Sequence, residues 1–376
     1  MPSRRRLIQQ ASLLIGARAA AALGLGLLAP AAARAAQKPG WHMPDEGAPQ
    51  ARAFIAFGAQ DAIWEDFTAD VQAALGRIAR AIATYQPVTV FCRAGELRQA
   101  QRHCGATHVT FVETRLDDIW MRDIGANFLL NGQGGVSGVD FNFNGWGDKQ
   151  RHAADAEIAA ETVELANAEY RQSDLIGEGG GIEVDGRGTG IMTESSWINA
   201  NRNPEWTKAE VEDELKRCLG LRKIIWLPGI KGRDITDAHV DFYARFARPG
   251  VVVANLDMDP DSYDHALTRT HLDILRRATD ADGNPLEIHT MSPPLRPRRS
   301  KFLDSNPDFA AGYINYFVIN DAVIAPEFGD GDADRKAYDL LTRLYPGRKV
   351  VQLNIDAIAS GGGGIHCVTN QLPVAT

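Results

Sequence analysis

Gly361-Gly362-Gly363-Gly364-Ile365-His366-Cys367-Val368 is the stretch from which the rest of the chain is read. Four consecutive glycines stabilise neither a helix nor a strand, because each loses the most backbone entropy on ordering. They suit a place where backbone passes close to another group, or turns through positive φ, beside something reactive. The residue they deliver is Cys367, whose side chain yields a nucleophile near neutral pH more readily than most. Ile365, Cys367 and Val368 are apolar or β-branched, which predicts strand here rather than a loose glycine-rich tail.

Outward from that stretch, short β-branched runs alternate with amphipathic ones. Residues 65–85 carry Phe67, Val71, Ala74, Leu75, Ile78 and Ile82 at helical spacing. Further helices are predicted over 97–104, 153–170, 207–219, 263–278 and 333–344. The segment 207–219 has the clearest boundaries, with a Thr207/Glu210 capping box and Gly220 as its stop. Strands are predicted over 88–92, 108–113, 139–143, 223–227, 240–246, 251–256, 313–319 and 350–355. Residues 177–190 read as a glycine-rich hairpin or loop, and 36–52 as a polar surface arm. Irregular alternation with no Pro/Ser-rich linker predicts a single α/β domain over 36–376.

Residues 1–35 stand apart. Ser3-Arg4-Arg5-Arg6-Leu7-Ile8 is basic, the following stretch is weakly apolar, and Ala33-Arg34-Ala35 fits an A-x-A cleavage pattern. Arg18 and Pro30 interrupt the apolar run, which argues against a retained membrane helix. The paired arginines predict a twin-arginine export signal, and hence a periplasmic or secreted protein. Its removal takes five arginines and no acid, moving the formal charge from −8 to −13. A body that acidic repels nucleic acid and anionic membranes and suits a cationic small substrate. Cys92, Cys104, Cys218 and Cys367 are irregularly spaced and are expected as free thiols.

Chemistry-bearing residues gather in five short segments. Asp117-Asp118-Ile119-Trp120-Met121-Arg122-Asp123 places three acids, an arginine and a tryptophan after a strand, either a binding loop or a solvated turn. Glu178 leads Gly179-Gly180-Gly181, so it can approach a ligand uncrowded, or it can be an ordinary turn glutamate. In Asp237-Ala238-His239-Val240-Asp241, a strand starting at Val240 would put His239 and Asp241 on one face. Such a pair suits acid/base catalysis or a metal. Asn320-Asp321 closes a strand, and His366-Cys367 follows the glycines. Carboxylates in this number would hold a guanidinium, whose planar N–H fork matches two of them and whose carbon a thiolate can attack.

At this point the motifs resemble a known family. Asp117-Asp-Ile-Trp-Met-Arg-Asp-Ile-Gly125, Phe141-Asn-Phe-Asn-Gly-Trp-Gly147 and Glu178-Gly-Gly-Gly-Ile-Glu-Val-Asp-Gly186 are similar to segments of the agmatine deiminase family. So are Thr193-Glu194 leading to Asn201-Arg-Asn-Pro204, Asp237-Ala-His-Val-Asp241, Asn320-Asp321 and the segment from Gly361 to Pro373. That family includes the bacterial peptidylarginine deiminases. The resemblance implies a five-bladed, pseudo-fivefold α/β propeller with a polar central active-site channel. It implies that Cys367 attacks the guanidinium carbon and that His239 is the acid and base. Asp123 and Asp241 would bind guanidinium nitrogens, and Glu178 would contact the same group. Asp117, Asp118, Trp120, Asn320 and Asp321, in matching segments, would line the substrate site. No metal or organic cofactor is implied.

The sequence departs from the family in places. Met43-Pro44-Asp45-Glu46-Gly47 lacks the usual aromatic, Glu194-Ser195-Ser196 replaces Glu-Glu-Cys, and Ala238 stands where glycine is usual. Agmatine, peptidyl-arginine or another small guanidine are the open substrates, and a homo-oligomer is possible. Two rivals from other classes are a metal hydrolase built on His239, Asp241, Asp118 and His366, and a non-catalytic polyamine-binding protein. The first lacks metal-ligand spacing.

Overall fold

The structure is a computed structural model that describes residues 40–306 and 309–375. The predicted leader and its cleavage pattern lie outside the described residues. The strands are β1 (Gln50–Phe57), β2 (Val88–Cys92), β3 (Val109–Glu113), β4 (Asn127–Leu130), β5 (Val136–Asp140) and β6 (Glu169–Gln172). They continue as β7 (Glu183–Val184), β8 (Thr189–Thr193), β9 (Lys223–Leu227), β10 (Ala244–Arg248) and β11 (Val251–Asn255). The last are β12 (Glu287–Met291), β13 (Phe317–Val318), β14 (Ala322–Glu327), β15 (Lys349–Asn354) and β16 (Thr369–Pro373). The main helices are α1 (Thr68–Ala83), α2 (Ile158–Leu165), α3 (Lys208–Leu219), α4 (Asp264–Arg277) and α5 (Gly331–Leu344).

These elements form five small sheets of one design: β16-β1-β2-β3, β4-β5-β6, β7-β8-β9, β10-β11-β12 and β13-β14-β15. In each, an inner strand runs antiparallel to the next, and a helix then carries the chain to a parallel third strand. The helix is needed because parallel neighbours cannot be joined by a tight turn. The chain is therefore the pseudo-fivefold α/β propeller that the resemblance implies. In α1, Val71, Ala74, Leu75, Ile78 and Ile82 are fully buried, so its apolar stripe faces the sheet. Each such side chain larger than alanine contributes roughly 1.5–3 kcal/mol. In α3 the capping box is present and Gly220 is left-handed.

The centre is polar and filled. Glu46 accepts hydrogen bonds from Arg245 Nη2 (2.9 Å), Val318 N (2.8 Å) and Arg122 Nη2 (3.3 Å). Arg245 Nε donates to Glu183 Oε2 at 2.7 Å, and the guanidinium lies 4.9 Å from the Tyr316 ring centroid.

Several predicted elements differ. The predicted strand over 139–143 is β5, which ends at Asp140, and the predicted helix over 153–170 ends at Leu165, where β6 soon follows. The strand predicted over 313–319 shrinks to β13, and 240–246 opens as a 3-10 turn, Val240–Phe242, before β10. Residues 36–52 are not a surface arm throughout: His42 pairs with Leu130, Glu46 plugs the centre, and Gln50 begins β1. Ile365 to Val368 lie in a turn, and strand begins at Thr369. All four cysteines are free and buried.

The glycine run is a close approach of backbone to aromatic rings. A Cβ on Gly363 would overlap the Trp120 indole. Replacing Gly363 with alanine should displace Trp120, cost about 1–3 kcal/mol through overpacking, and lower kcat. Thermal melts and steady-state kinetics check this against Gly331→Ala, an exposed control with open space around its Cα and no positive φ.

Candidate active site

The functional side chains come from one kind of place. Asp123 precedes β4, Glu178 precedes β7, His239 and Asp241 precede β10, and Cys367 precedes β16. The inner strands thus aim the segments before them at a common point, although those segments are spread from position 123 to position 367 of the chain.

There, a narrow cavity is lined by Trp120, Asp123, Trp146, His239, Asp241 and Cys367. It shares Ile235, Thr236, His239 and Phe242 with a wider vestibule whose wall carries Asp234, Asp257 and Asp264. Cys367 Sγ lies 3.6 Å from Asp241 Oδ2 and accepts a 3.3 Å hydrogen bond from Asn315 Nδ2. His239 Nε2 meets Glu178 Oε2 at 3.1 Å, while its Nδ1, 3.7 Å from Asp123 Oδ1, has no hydrogen-bond partner. Asp123 is fixed by Trp146 Nε1 and Gly180 N, each at 2.9 Å. Gly180 has no alternative, since a Cβ there would press into the His239 ring, Asp123 and Asp241 together.

Burial dominates the electrostatics and neighbouring charges decide each case. Burial first, then Asp241 and Asp123, push the Cys367 thiol well above its ordinary value. The resting group is therefore a neutral thiol. Burial works against the His239 imidazolium, but Asp123, Glu178 and Asp241 outweigh it and carry it to about 9. Burial and the neighbouring carboxylates lift Asp123 to about 6, against the pull of His239. For Glu178, burial is overcome by Arg202 and His239, and its carboxyl sits below the ordinary range. Arg202 Nε donates to Glu178 at 2.8 Å and its Nη1 to Asp237 Oδ2 at 2.8 Å.

The loop before His239 is strained and held from several sides. Asp237 and Ala238 have φ of 62° and 69°, the left-handed region that accounts for the family's usual glycine. Thr193 Oγ1 donates to Ala238 O and Ser195 Oγ to Asp237 O, each at 2.6 Å. No strand puts His239 and Asp241 on one face. The turn at Val240–Phe242 brings them together instead.

The structure brings Cys367, His239, Asp241, Asp123 and Trp120 to the cavity wall. Glu178 stands behind His239 with its carboxylate on Arg202. Asp118 takes hydrogen bonds from Trp64 Nε1 (2.7 Å), Trp120 Nε1 (2.8 Å) and Gln150 Nε2 (3.0 Å), so it sets the indoles rather than touching the cavity. Three predicted site residues lie elsewhere. Asp117 is paired with Arg151 and with the Ala154 amide. Asn320 exchanges hydrogen bonds with the Gln50 backbone, joining the fifth sheet to the first. Asp321 is exposed at a strand turn, where its carbonyl takes the Lys349 amide. Their place in segments that match the family made them candidates, and only the sheet topology turns them away. Asn315, Arg202 and Glu46 were not expected at the site. Among these, Arg202 and Glu46 fall inside matching or near-matching motifs, whereas Asn315 carries no sequence signal. Among the described residues, no three His, Cys, Asp or Glu side chains are gathered as a metal site requires.

Comparison with known proteins agrees with this arrangement. The Porphyromonas-type peptidyl-arginine deiminase family matches residues 42–373. The agmatine deiminase of Pseudomonas putida is 35% identical over 353 residues, covering 89% of this chain and 96% of that protein. That of Pseudomonas aeruginosa is 34% identical over 358 residues, with 89% and 96% covered. A solved structure of Enterococcus faecalis agmatine deiminase superposes with a TM-score of 0.84 at 29% identity, over 90% of this chain and 97% of that one.

The His239 charge has a consequence for stability. In the fold its proton is held to about pH 9, against an ordinary value of 6.5. A raised value stabilises the fold fully below pH 6.5, and that contribution drains away as pH climbs towards 9. The melting-temperature difference between wild type and His239→Gln should therefore narrow over that window. A gap that stays constant or widens would mean that the imidazole is uncharged.

Proposed function

Because the chain belongs to the agmatine deiminase family, which embraces the Porphyromonas-type peptidyl-arginine deiminases, we propose that it hydrolyses agmatine to N-carbamoylputrescine and ammonia. It is a hydrolase of C–N bonds in linear amidines. The observation that carries the reading is a buried thiol sharing one cavity with an imidazole and two carboxyl groups.

The substrate enters as a cation through the acidic vestibule and sets its N–H groups against Asp123 and Asp241. Its positive charge lowers the cost of a thiolate beside those carboxylates. As the cation seats, Cys367 loses its proton to solvent through the vestibule, and sulfur, 3.6 Å from Asp241 Oδ2, bonds to the guanidinium carbon. His239 Nδ1, charged and without a partner, gives its proton to one amino group. That C–N bond breaks, ammonia departs, and a cationic amidino thioether remains. The imidazole, now neutral, takes a proton from water, whose oxygen adds to the same carbon. The C–S bond then breaks, the added hydroxyl passes its proton to the departing sulfur, and the neutral thiol and the ureido product are left. Glu178 serves by holding the far nitrogen of the ring. No step requires a metal or organic cofactor.

We further propose that residues 1–35 export the enzyme by the twin-arginine route, leaving the mature chain in the periplasm or outside the cell. The basic Arg4-Arg5-Arg6 run and the Ala33-Arg34-Ala35 pattern support this, and fractionation of cells expressing the full chain tests it.

Ureido-product formation from agmatine, arginine and a blocked arginine peptide should be measured side by side on the purified enzyme. Agmatine should give the highest kcat/KM, and a higher value for the peptide would reassign the substrate to protein arginine. Cys367→Ser should lower turnover by at least about 10³-fold, while calorimetry still registers agmatine binding.

A further inference from the structure

His366 precedes the nucleophile and takes no part in the steps above, yet its surroundings are unusual. The ring is 2% exposed and lies between the reaction cavity and the centre of the molecule. Its Nδ1 is 2.8 Å from Asp241 Oδ2 and its Nε2 is 2.7 Å from Glu46 Oε2. An ionised carboxylate oxygen can only accept. A neutral imidazole has one N–H, so it would satisfy one of these contacts and turn a nitrogen lone pair against the other oxygen.

The charges and contacts around the ring decide where the second proton resides. Burial raises Glu46, but Arg245, His366 and Arg122 overcome it and hold the carboxyl far below its ordinary range. Burial likewise raises Asp241, and His366 and His239 bring it back below the usual value. Both carboxylates are thus poor homes for a proton. Burial, Arg122 and Arg245 together hold the imidazolium below its ordinary value, against the upward push of the two carboxylates, so the second proton rests on the two short contacts and not on the charge balance. Two charge-assisted hydrogen bonds of this length favour the imidazolium. The remaining titratable neighbour, Cys367, is a neutral thiol.

The consequence falls on Asp241. Its Oδ2 is taken by His366, with the thiol 3.6 Å away, whereas Oδ1 is buried without any hydrogen-bond partner. We propose that His366 is a positioning residue for deimination, a doubly protonated ring that clamps Oδ2 of Asp241 and leaves Oδ1 free for the guanidinium. Through Glu46 the same ring anchors that carboxylate to Arg122 and Arg245, so the substrate-binding geometry is tied to the ionic centre of the propeller.

The kinetic half of this proposal rests on the deiminase reading, and the protonation half does not. Nitrogen-15 NMR of the full enzyme, labelled at histidine and free of substrate, reads the protonation directly. The signal lost in His366→Asn should show both ring nitrogens protonated between pH 6 and 8, and one bare nitrogen across that range overturns the proposal. Should that variant fail to fold, Glu46→Gln assigns the signal by shifting its Nε2 resonance. In kinetics, His366→Asn retains a donor near the Nδ1 position and should keep KM for agmatine within about threefold. His366→Leu has no donor and should raise KM at least about tenfold. Equal effects of the two substitutions on KM would overturn the clamp. Absence of agmatine turnover in the wild type would instead count against the substrate assignment and leave the NMR result to stand.

Discussion

The protein must keep several carboxylates ionised where little water reaches them. An unpaired buried charge costs several kcal/mol, about 3–5 when one partner of a buried pair is removed. Several of these acids are therefore backed by an arginine or a histidine. Glu178 leans on the buried Arg202, which reaches on to Asp237. Asp241 leans on His366, and through it on Glu46, Arg245 and Arg122. Asp123, like Asp118, takes its hydrogen bonds from neutral donors only, and its carboxyl is lifted to about 6 even with the His239 ring 3.7 Å away. It is the carboxylate with most to gain from an arriving cation. The same deficit keeps the Cys367 thiol neutral until a cation is present, so unoccupied enzyme does not carry an idle thiolate.

Fivefold repetition explains how such distant residues meet. In four of the five sheets, the segment entering the inner strand contributes an acid, the imidazole or the thiol, and in the fifth it contributes Asn315. Asn315 holds the nucleophile in place: its Oδ1 accepts the His366 amide at 3.0 Å while its Nδ2 reaches Sγ. Glycine appears where two of these segments press together, as at Gly180 and Gly363. Where the chain departs from the family's pattern, local bonds compensate. Ala238 takes a left-handed conformation costing roughly 1–2 kcal/mol for a residue with a Cβ. The Thr193 and Ser195 hydroxyls grip the carbonyls of Ala238 and Asp237 and keep it there.

Much of this was legible in the sequence, and unevenly. The helices α1, α3, α4 and α5 announce themselves through apolar spacing, and α3 through its capping box as well, because a helix satisfies its own backbone and carries its signal locally. Collinear motifs around Asp123, Glu178, His239, Asp241 and Cys367 pointed to the reacting groups and, through family resemblance, to the fold. Strands were harder. β1 reads as a nearly continuous apolar run because both of its faces are covered, and β6 reads as polar because it is an edge.

What the sequence determined alone is the set of candidate reacting groups and the acidic character of the chain, since both follow from residue identity. Only the tertiary structure separated Asn320, Asp321 and Asp117 from the cavity, placed Glu178 behind His239, and brought Glu46 and Asn315 in. The physical reason is that a carboxylate's role depends on which cation or donor faces it. Those partners come from other sheets, far away along the chain, and no local pattern records them.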